Sequence, residues 1–235
     1  MKAEINPNKI VVLSGAGISA ESGLSTFRAS DGVWQSHAWQ ELASPEGWRK
    51  NPQAVLAFYN ERRRQAWEAQ PNPAHLALAA LQDAYEVVII TQNVDNLHER
   101  AGSKQVLHVH GELAYARGQS AQAKRYLIGG APISLGQLCE DGTQLRPDIV
   151  WFGEEVQYYA EAQAHIASAA KVLVVGTSLA VFPIAGLVKH ARYHAQKILV
   201  ALDEMEKPWG YTFMRGKAGE IVPALAQTWL AQAGA

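Results

Sequence analysis

Cysteine is all but missing from this chain of 235 residues, with Cys139 the single example. Its isolation excludes an intramolecular disulfide and any structural zinc site built from cysteines alone. The thiol is expected to be buried and inert, because Glu140 and Asp141 beside it oppose a thiolate. Excess charge is missing too. A net charge of −1 gives no bulk drive toward nucleic acid or anionic lipid, so neither partner is expected. No apolar run approaches the roughly 20 residues of a spanning helix, and no signal-peptide pattern opens the chain. The expected location is the cytoplasm, with no membrane partner. Repeats, heptads and low-complexity segments are absent as well. What remains, at 48% hydrophobic and 18% charged, is ordinary globular sequence long enough for a substantial core.

Within it, three apolar runs share one grammar of strand, small or polar turn, then helix. Lys9 to Ser14 turns at Gly15-Ala16-Gly17. Glu86 to Thr91 turns at Gln92-Asn93 into a helix expected over Val94 to Ala101. Lys171 to Val175 turns at Gly176-Thr177-Ser178, and Lys197 to Leu202 is a fourth strand candidate. Continuous β-branched runs fit parallel strands covered on both faces. The fold class is therefore α/β, a parallel sheet with helices on both faces and its ligand site at the strand carboxyl ends. Residues from about 36 to 72 read as helix, including Pro52 to Gln70. Residues 114 to 147 read as a loop-rich or short-strand insertion. Together they form a smaller inserted lobe. The main domain is then 1–35, 73–113 and 148–235.

Gly15-Ala16-Gly17-Ile18-Ser19-Ala20 fits a dinucleotide-binding turn with alanine in its last position. Small residues there let backbone N–H groups approach a pyrophosphate at a helix N-terminus; glycines that merely permit a tight turn are the bland alternative. The acidic residue expected about 20 positions later is missing, since Glu41 lies in helical sequence. That disfavours an ordinary hydride-transfer dehydrogenase. Phe27 could shield a reactive centre from water, and Arg28 could pair with phosphate or carboxylate; core packing and solvation are the alternatives. Asn93 and Asp95 suit a carboxamide such as that of nicotinamide, but either could simply cap a helix. His98 is more simply a packed or hydrogen-bonded side chain. His108 and His110 lie two apart in an apparent strand and would share a face, with His110 a candidate general base. No third metal ligand is evident beside them. Tyr59 and Arg62, three apart on a helix, could receive a carboxylate, or they could belong to a packing stripe and a solvated basic face with Arg63 and Arg64.

Taken together, these segments resemble the sirtuin family of NAD-dependent protein lysine deacylases. The resemblance rests on Gly15 to Gly23, Thr26-Phe27-Arg28, Thr91 to His98 and His110-Gly111-Glu112-Leu113. It continues through Leu145-Arg146-Pro147, Val150 to Glu154 and Gly176-Thr177-Ser178-Leu179. It implies a Rossmann-like NAD domain plus a small lobe, with acyl-lysine protein substrates entering between them. By the same resemblance Gly15, Ala16, Gly17, Phe27, Arg28, Gln92, Gly176, Thr177 and Ser178 contact NAD. Asn93 and Asp95 line the nicotinamide pocket and join His110 as catalytic residues. Val150, Trp151, Phe152 and Gly153 would pair with the substrate backbone.

Phe58 to Arg63 also resembles the branch that removes acidic acyl groups, in which Tyr59 and Arg62 bind the distal carboxylate; Ala29 to Gly32 agrees with it. The implied activity is desuccinylase or demalonylase with weaker deacetylase action, releasing nicotinamide and O-acyl-ADP-ribose. ADP-ribosyl transfer, NAD hydrolysis and a non-catalytic NAD or ADP-ribose sensor are the competing readings. Two departures stand out. Most family members hold zinc with four cysteines between the histidine and the Leu-Arg-Pro string, where this chain has only Cys139, so no zinc is expected. The asparagine that usually follows the family's late strand is missing from Val200-Ala201-Leu202-Asp203, where Asp203 could accept from ribose hydroxyls instead.

Overall fold

The computed structural model describes residues 4–26, 39–120, 123–203 and 206–233. Its larger sheet contains β1 (Asn6–Ser14), β2 (Glu86–Thr91), β3 (Val106–His108), β7 (Ala169–Val175), β8 (Gln196–Ala201) and β9 (Thr212–Arg215). Their order is β3-β2-β1-β7-β8-β9, and every neighbouring pair is parallel. The chain leaves β1 in one direction and later returns on its other side. The crevice at the carboxyl ends of β1, β2 and β7 is thus a topological switch point, where ligands bind in open α/β sheets.

Strand alternation sorts the core into two layers. Ile10 and Val12 point to the face covered by α4 (Pro73–Ala80) and α7 (Ala218–Ala233), packing with Leu78, Val222 and Trp229. Val11 and Leu13 point to the opposite face, against Ile166 of α6 (Tyr159–Ser168) and Leu187 of a 3-10 segment, Ile184–His190. Both faces are dry, which is why these strands are apolar throughout. A fully buried side chain of this size contributes about 1.5–3 kcal/mol.

The smaller sheet, antiparallel, orders β5 (Arg125–Leu127), β4 (Gly111–Arg117) and β6 (Arg146–Ile149) as β5-β4-β6. Three helices precede it in the chain: α1 (Trp39–Leu42), α2 (Pro45–Lys50) and α3 (Pro52–Glu68). Proline opens α2, α3 and α4, where its missing N–H costs nothing. Ser44, Asn51 and Asn72 cap the three, each accepting a backbone N–H at 3.0 Å. Val55, Leu56, Tyr59 and Ala66 of α3 pack on Leu113, Ala116, Ile149 and Trp151 in a third apolar cluster. Above it, Arg125 bonds Asp148 and Glu112, each at 2.6 Å, and Arg146 bonds Glu154 at 2.6 Å.

Several local expectations need correction. The turn after β1 opens into two 3-10 turns, Ala16–Ile18 and Ala20–Ser22, not an α-helix. The helix expected over Val94 to Ala101 shrinks to α5 (Leu97–Arg100), because Asp95 Oδ1 accepts the Leu97 N–H and starts it late. Cys139 is half-buried, not buried, and its thiol donates to Asp141 Oδ1 at 2.7 Å. One thiol beside a carboxylate and a threonine does not fit a four-thiolate metal site. No helix among the described residues is long and apolar enough to cross a membrane.

Candidate active site at the strand carboxyl ends

The turns after β1 and β7 interlock. Gly15 N–H donates to Val175 O at 3.0 Å and Gly17 N–H to Gly176 O at 2.8 Å. A Cβ on Gly17 would meet Gly176 Cα at 2.8 Å, and one on Gly176 would meet Ile18 N at 2.3 Å. Gly176 also has φ +65°, the left-handed region that favours glycine. These glycines let two turns close on each other, with two of the expected phosphate-facing N–H groups already committed. Thr177 Oγ1 accepts from Gln92 Nε2 at 3.0 Å, tying the β7 turn to the β2 turn, and Ser178 lies exposed beside it. Gly15, Ala16, Gly17, Gln92, Gly176, Thr177 and Ser178 therefore share one rim. Phe27 and Arg28 lie outside the described residues.

Beneath the rim is a polar knot. Ser19 Oγ accepts from Asn93 Nδ2 and donates to Asp95 Oδ2, both at 3.1 Å. Thr91 Oγ1 accepts the Asn93 N–H at 3.1 Å. Asn93 and Asp95 are both buried, and burial raises the Asp95 pKa against the bonds from Leu97 and Ser19 that favour its charged form. No described residue bonds Asn93 Oδ1. A carboxamide needs an acceptor for its N–H and a donor for its oxygen; Asn93 and Asp95 offer that chemistry in a dry setting. The residues present fit the nicotinamide end of NAD.

His110 sits past the end of β3, on the turn into β4, and does not share a strand face with His108. Its Nδ1 lies 3.2 Å from Gln92 O, while burial lowers its pKa despite that bond. A carbonyl only accepts, so Nδ1 carries the hydrogen and Nε2 presents a lone pair. No described residue bonds that Nε2. His108 points elsewhere, to Asn93 O at 3.1 Å and Glu99 at 2.7 Å. His98 is fully enclosed, bonding Ser14 Oγ at 2.9 Å.

On α3, Tyr59 is buried and its hydroxyl pKa is raised by burial, against the Trp151 indole and the charges of Arg146 and Arg62. Arg62 Nη1 is buried without a hydrogen-bond partner among the described residues. Burial lowers the Arg62 pKa, with Tyr59 and Asp95 pulling the other way. The segment after β6 presents its side chains unevenly. Phe152 and Gly153 are exposed and Val150 half-exposed, but Trp151 is buried against Trp48 and the Arg146 guanidinium. Its side chain packs the lobe, leaving at most its backbone for a substrate. The Val150, Trp151 and Phe152 N–H groups already bond His110 O, Glu154 Oε2 and Ala43 O.

Sequence reasoning passed over three contributors. Ser19 joins Asn93 to Asp95; its only signal was a hydroxyl inside the glycine turn. Asn72 braces that turn through Ile18 O at 2.7 Å and Ser22 Oγ at 3.0 Å. Glu99 fixes His108, and nothing short of tertiary structure pairs them.

A family model described as the Sir2 family matches residues 15–183. A Helicobacter pylori (strain ATCC 700392 / 26695) protein described as an NAD-dependent protein deacylase is 52% identical over 198 residues, covering 84% of this chain and 85% of its own length. A Vibrio cholerae protein of the same description is 44% identical over 232 residues, covering 94% and 93% respectively. A solved Sir2 homologue in complex with NAD superposes with a TM-score of 0.86 at 36% identity, over 96% of this chain and 90% of that one.

Proposed function

The chain belongs to the Sir2 family, and from that premise we propose an NAD-dependent protein lysine deacylase that prefers acidic acyl groups. Bound NAD would supply an electrophilic ribose carbon with nicotinamide as its leaving group. Asn93 and Asp95 would hold the carboxamide, oriented against each other by Ser19. His110 would take a proton through Nε2, because its Nδ1–H is committed to Gln92 O. The interlocked turns would approach the diphosphate through N–H groups other than those of Gly15 and Gly17, which already bond Val175 O and Gly176 O, and Gln92, Thr177 and Ser178 would edge the ribose. Phe152 and Gly153, both exposed, would meet the peptide beside the acyl-lysine.

The acidic preference rests on one observation, Arg62 Nη1 buried without a hydrogen-bond partner among the described residues, one helical turn from Tyr59. A buried guanidinium N–H without an acceptor is costly, and a substrate carboxylate is the anion that would relieve it. An acetyl group brings no such charge.

The test is nicotinamide release by purified protein with NAD and matched succinyl-lysine or acetyl-lysine peptides. Faster turnover of the succinyl peptide supports the reading. Release that needs no peptide would replace it with NAD hydrolysis or ADP-ribosyl transfer. Nicotinamide retained, with NAD still bound, would leave a sensor.

A further inference from the structure

We propose that His108 is a positioning residue for Asn93, and that Glu99 holds His108 to that task. This rests on Asn93 facing nicotinamide, as proposed above. The Asn93 peptide is clamped at both ends within the core. Its N–H donates to Thr91 Oγ1 at 3.1 Å, and its carbonyl accepts from His108 Nδ1 at 3.1 Å. The side chain is held separately, through Nδ2 to Ser19 Oγ. Of the three clamps only His108 leads outward, from a side chain 5% exposed to a Glu99 carboxylate 37% exposed.

The direction of each bond follows from chemistry. Asn93 O can only accept, so Nδ1 carries a hydrogen; Glu99 Oε1, 2.7 Å from Nε2, takes a second one. Burial works against the charged ring, and the Glu99 bond, with the charges of Glu99 and Glu112, outweighs it. The ring is thereby locked in one orientation, as when an outer carboxylate orients an active-site histidine. Without the Nδ1 donor, Asn93 O is a buried acceptor with no partner among the described residues, and the backbone bearing the proposed carboxamide contact can turn.

The same geometry raises a second reading that the test must separate. Ligand atoms of Glu99, His108 and Glu112 lie within 4.8 Å of one another, close enough for a cation. Glu112 is already bonded to Arg125 at 2.6 Å, and Glu99 occupies Nε2, so hydrogen bonds account for the cluster.

Two substitutions divide the ring's two bonds. His108→Asn places an amide N–H near the Nδ1 position and drops Glu99. His108→Gln reaches Glu99 and drops Asn93. With tag-free, full-length protein, His108→Gln should raise the nicotinamide IC50 and the NAD KM about fivefold, as expected for one lost hydrogen bond. The acyl-peptide KM should move less than about twofold, and His108→Asn should keep nicotinamide inhibition within about twofold of the parent, a difference worth under about 0.5 kcal/mol. Equal behaviour of the two variants would overturn the proposal, as would a loss confined to kcat. So would Zn²⁺ inhibition of the parent that Glu99→Gln abolishes, which would make the cluster a metal site.

If neither His108 variant folds, Glu99→Gln carries the test. It should raise the nicotinamide IC50 measurably without lowering the melting temperature, and an unchanged IC50 overturns the proposal. A parent that releases no nicotinamide from NAD and peptide would defeat the deacylase reading instead. Calorimetric binding of nicotinamide to the same variants would then still decide the role of His108.

Discussion

The Nδ1 of His110 lies 3.2 Å from the carbonyl oxygen of Gln92, a residue that also donates its side chain to Thr177. One residue thus sets the tautomer of the proposed base and ties the β2 turn to the β7 turn. Burial lowers the His110 pKa, so the imidazole stays neutral to a lower pH than a free histidine would. The pH profile of kcat/KM should hold level from neutrality down past the ordinary histidine value of about 6.5 before falling. His110→Ala should cost about 10²- to 10⁴-fold in kcat, the usual weight of a general base. NAD affinity by calorimetry should change far less; a matching loss of affinity would assign His110 to binding.

Arg62→Ala should separate acyl classes. The succinyl-lysine kcat/KM should fall about 100-fold or more, since the pairing at stake is a charge-assisted bond in a partly buried site. Acetyl-lysine turnover should change less than about threefold, because no charge is lost there. A parallel fall for both substrates would place Arg62 in the lobe's packing. Tyr59→Phe should show the same selectivity in milder form, about tenfold, the worth of one neutral hydrogen bond.

The two β turns predict a stability effect. Gly176→Ala forces a Cβ to 2.3 Å from Ile18 N at a left-handed backbone position. The turn must open, and a loss of about 2–4 kcal/mol is expected in urea unfolding. Gly23→Ala shares the positive φ but meets nothing within 4 Å, so it should cost only about 1 kcal/mol. Equal losses at both positions would show that backbone strain, not the interlock, sets the cost.

The long strands were legible because each is a continuous β-branched run, as in Ile10-Val11-Val12-Leu13 and Val87-Val88-Ile89-Ile90. β9 was not, for four residues carry no period to read, and the strand apparent around His108 reaches less far than its sequence suggests, since β3 ends before His110. The helix expected from Val94 failed for a side-chain reason, since Asp95 spends an oxygen capping Leu97. The site divides the same way. Gly15, Asn93, Asp95 and His110 stand at turns whose residue types announce a role. Ser19, Asn72 and Glu99 gain theirs from partners 76, 54 and 9 residues away. The inward turn of the Trp151 side chain was not legible either, since its partners Trp48 and Arg146 come from other segments.

The buried histidines of α4 and α5 set an acid limit on the fold. His75 and His98 are enclosed with ring centroids 4.9 Å apart. Burial lowers the His75 pKa to about 4, and burial together with the charges of His75 and His108 takes His98 well below its ordinary value. Between the folded pKa and the unfolded value of about 6.5, the unfolded chain binds more protons, so stability rises with pH there. It is complete above about 6.5 and falls as pH drops toward 4, by about 1–3 kcal/mol for His75 alone. His75→Gln isolates that contribution, because glutamine three residues after the Asn72 cap can accept the Asn72 N–H now taken by His75 Nδ1. Urea midpoints at pH 7 and pH 4.5 should therefore converge in His75→Gln relative to the parent. An unchanged acid sensitivity would move its origin to His98 and to the ion pairs around Asp148.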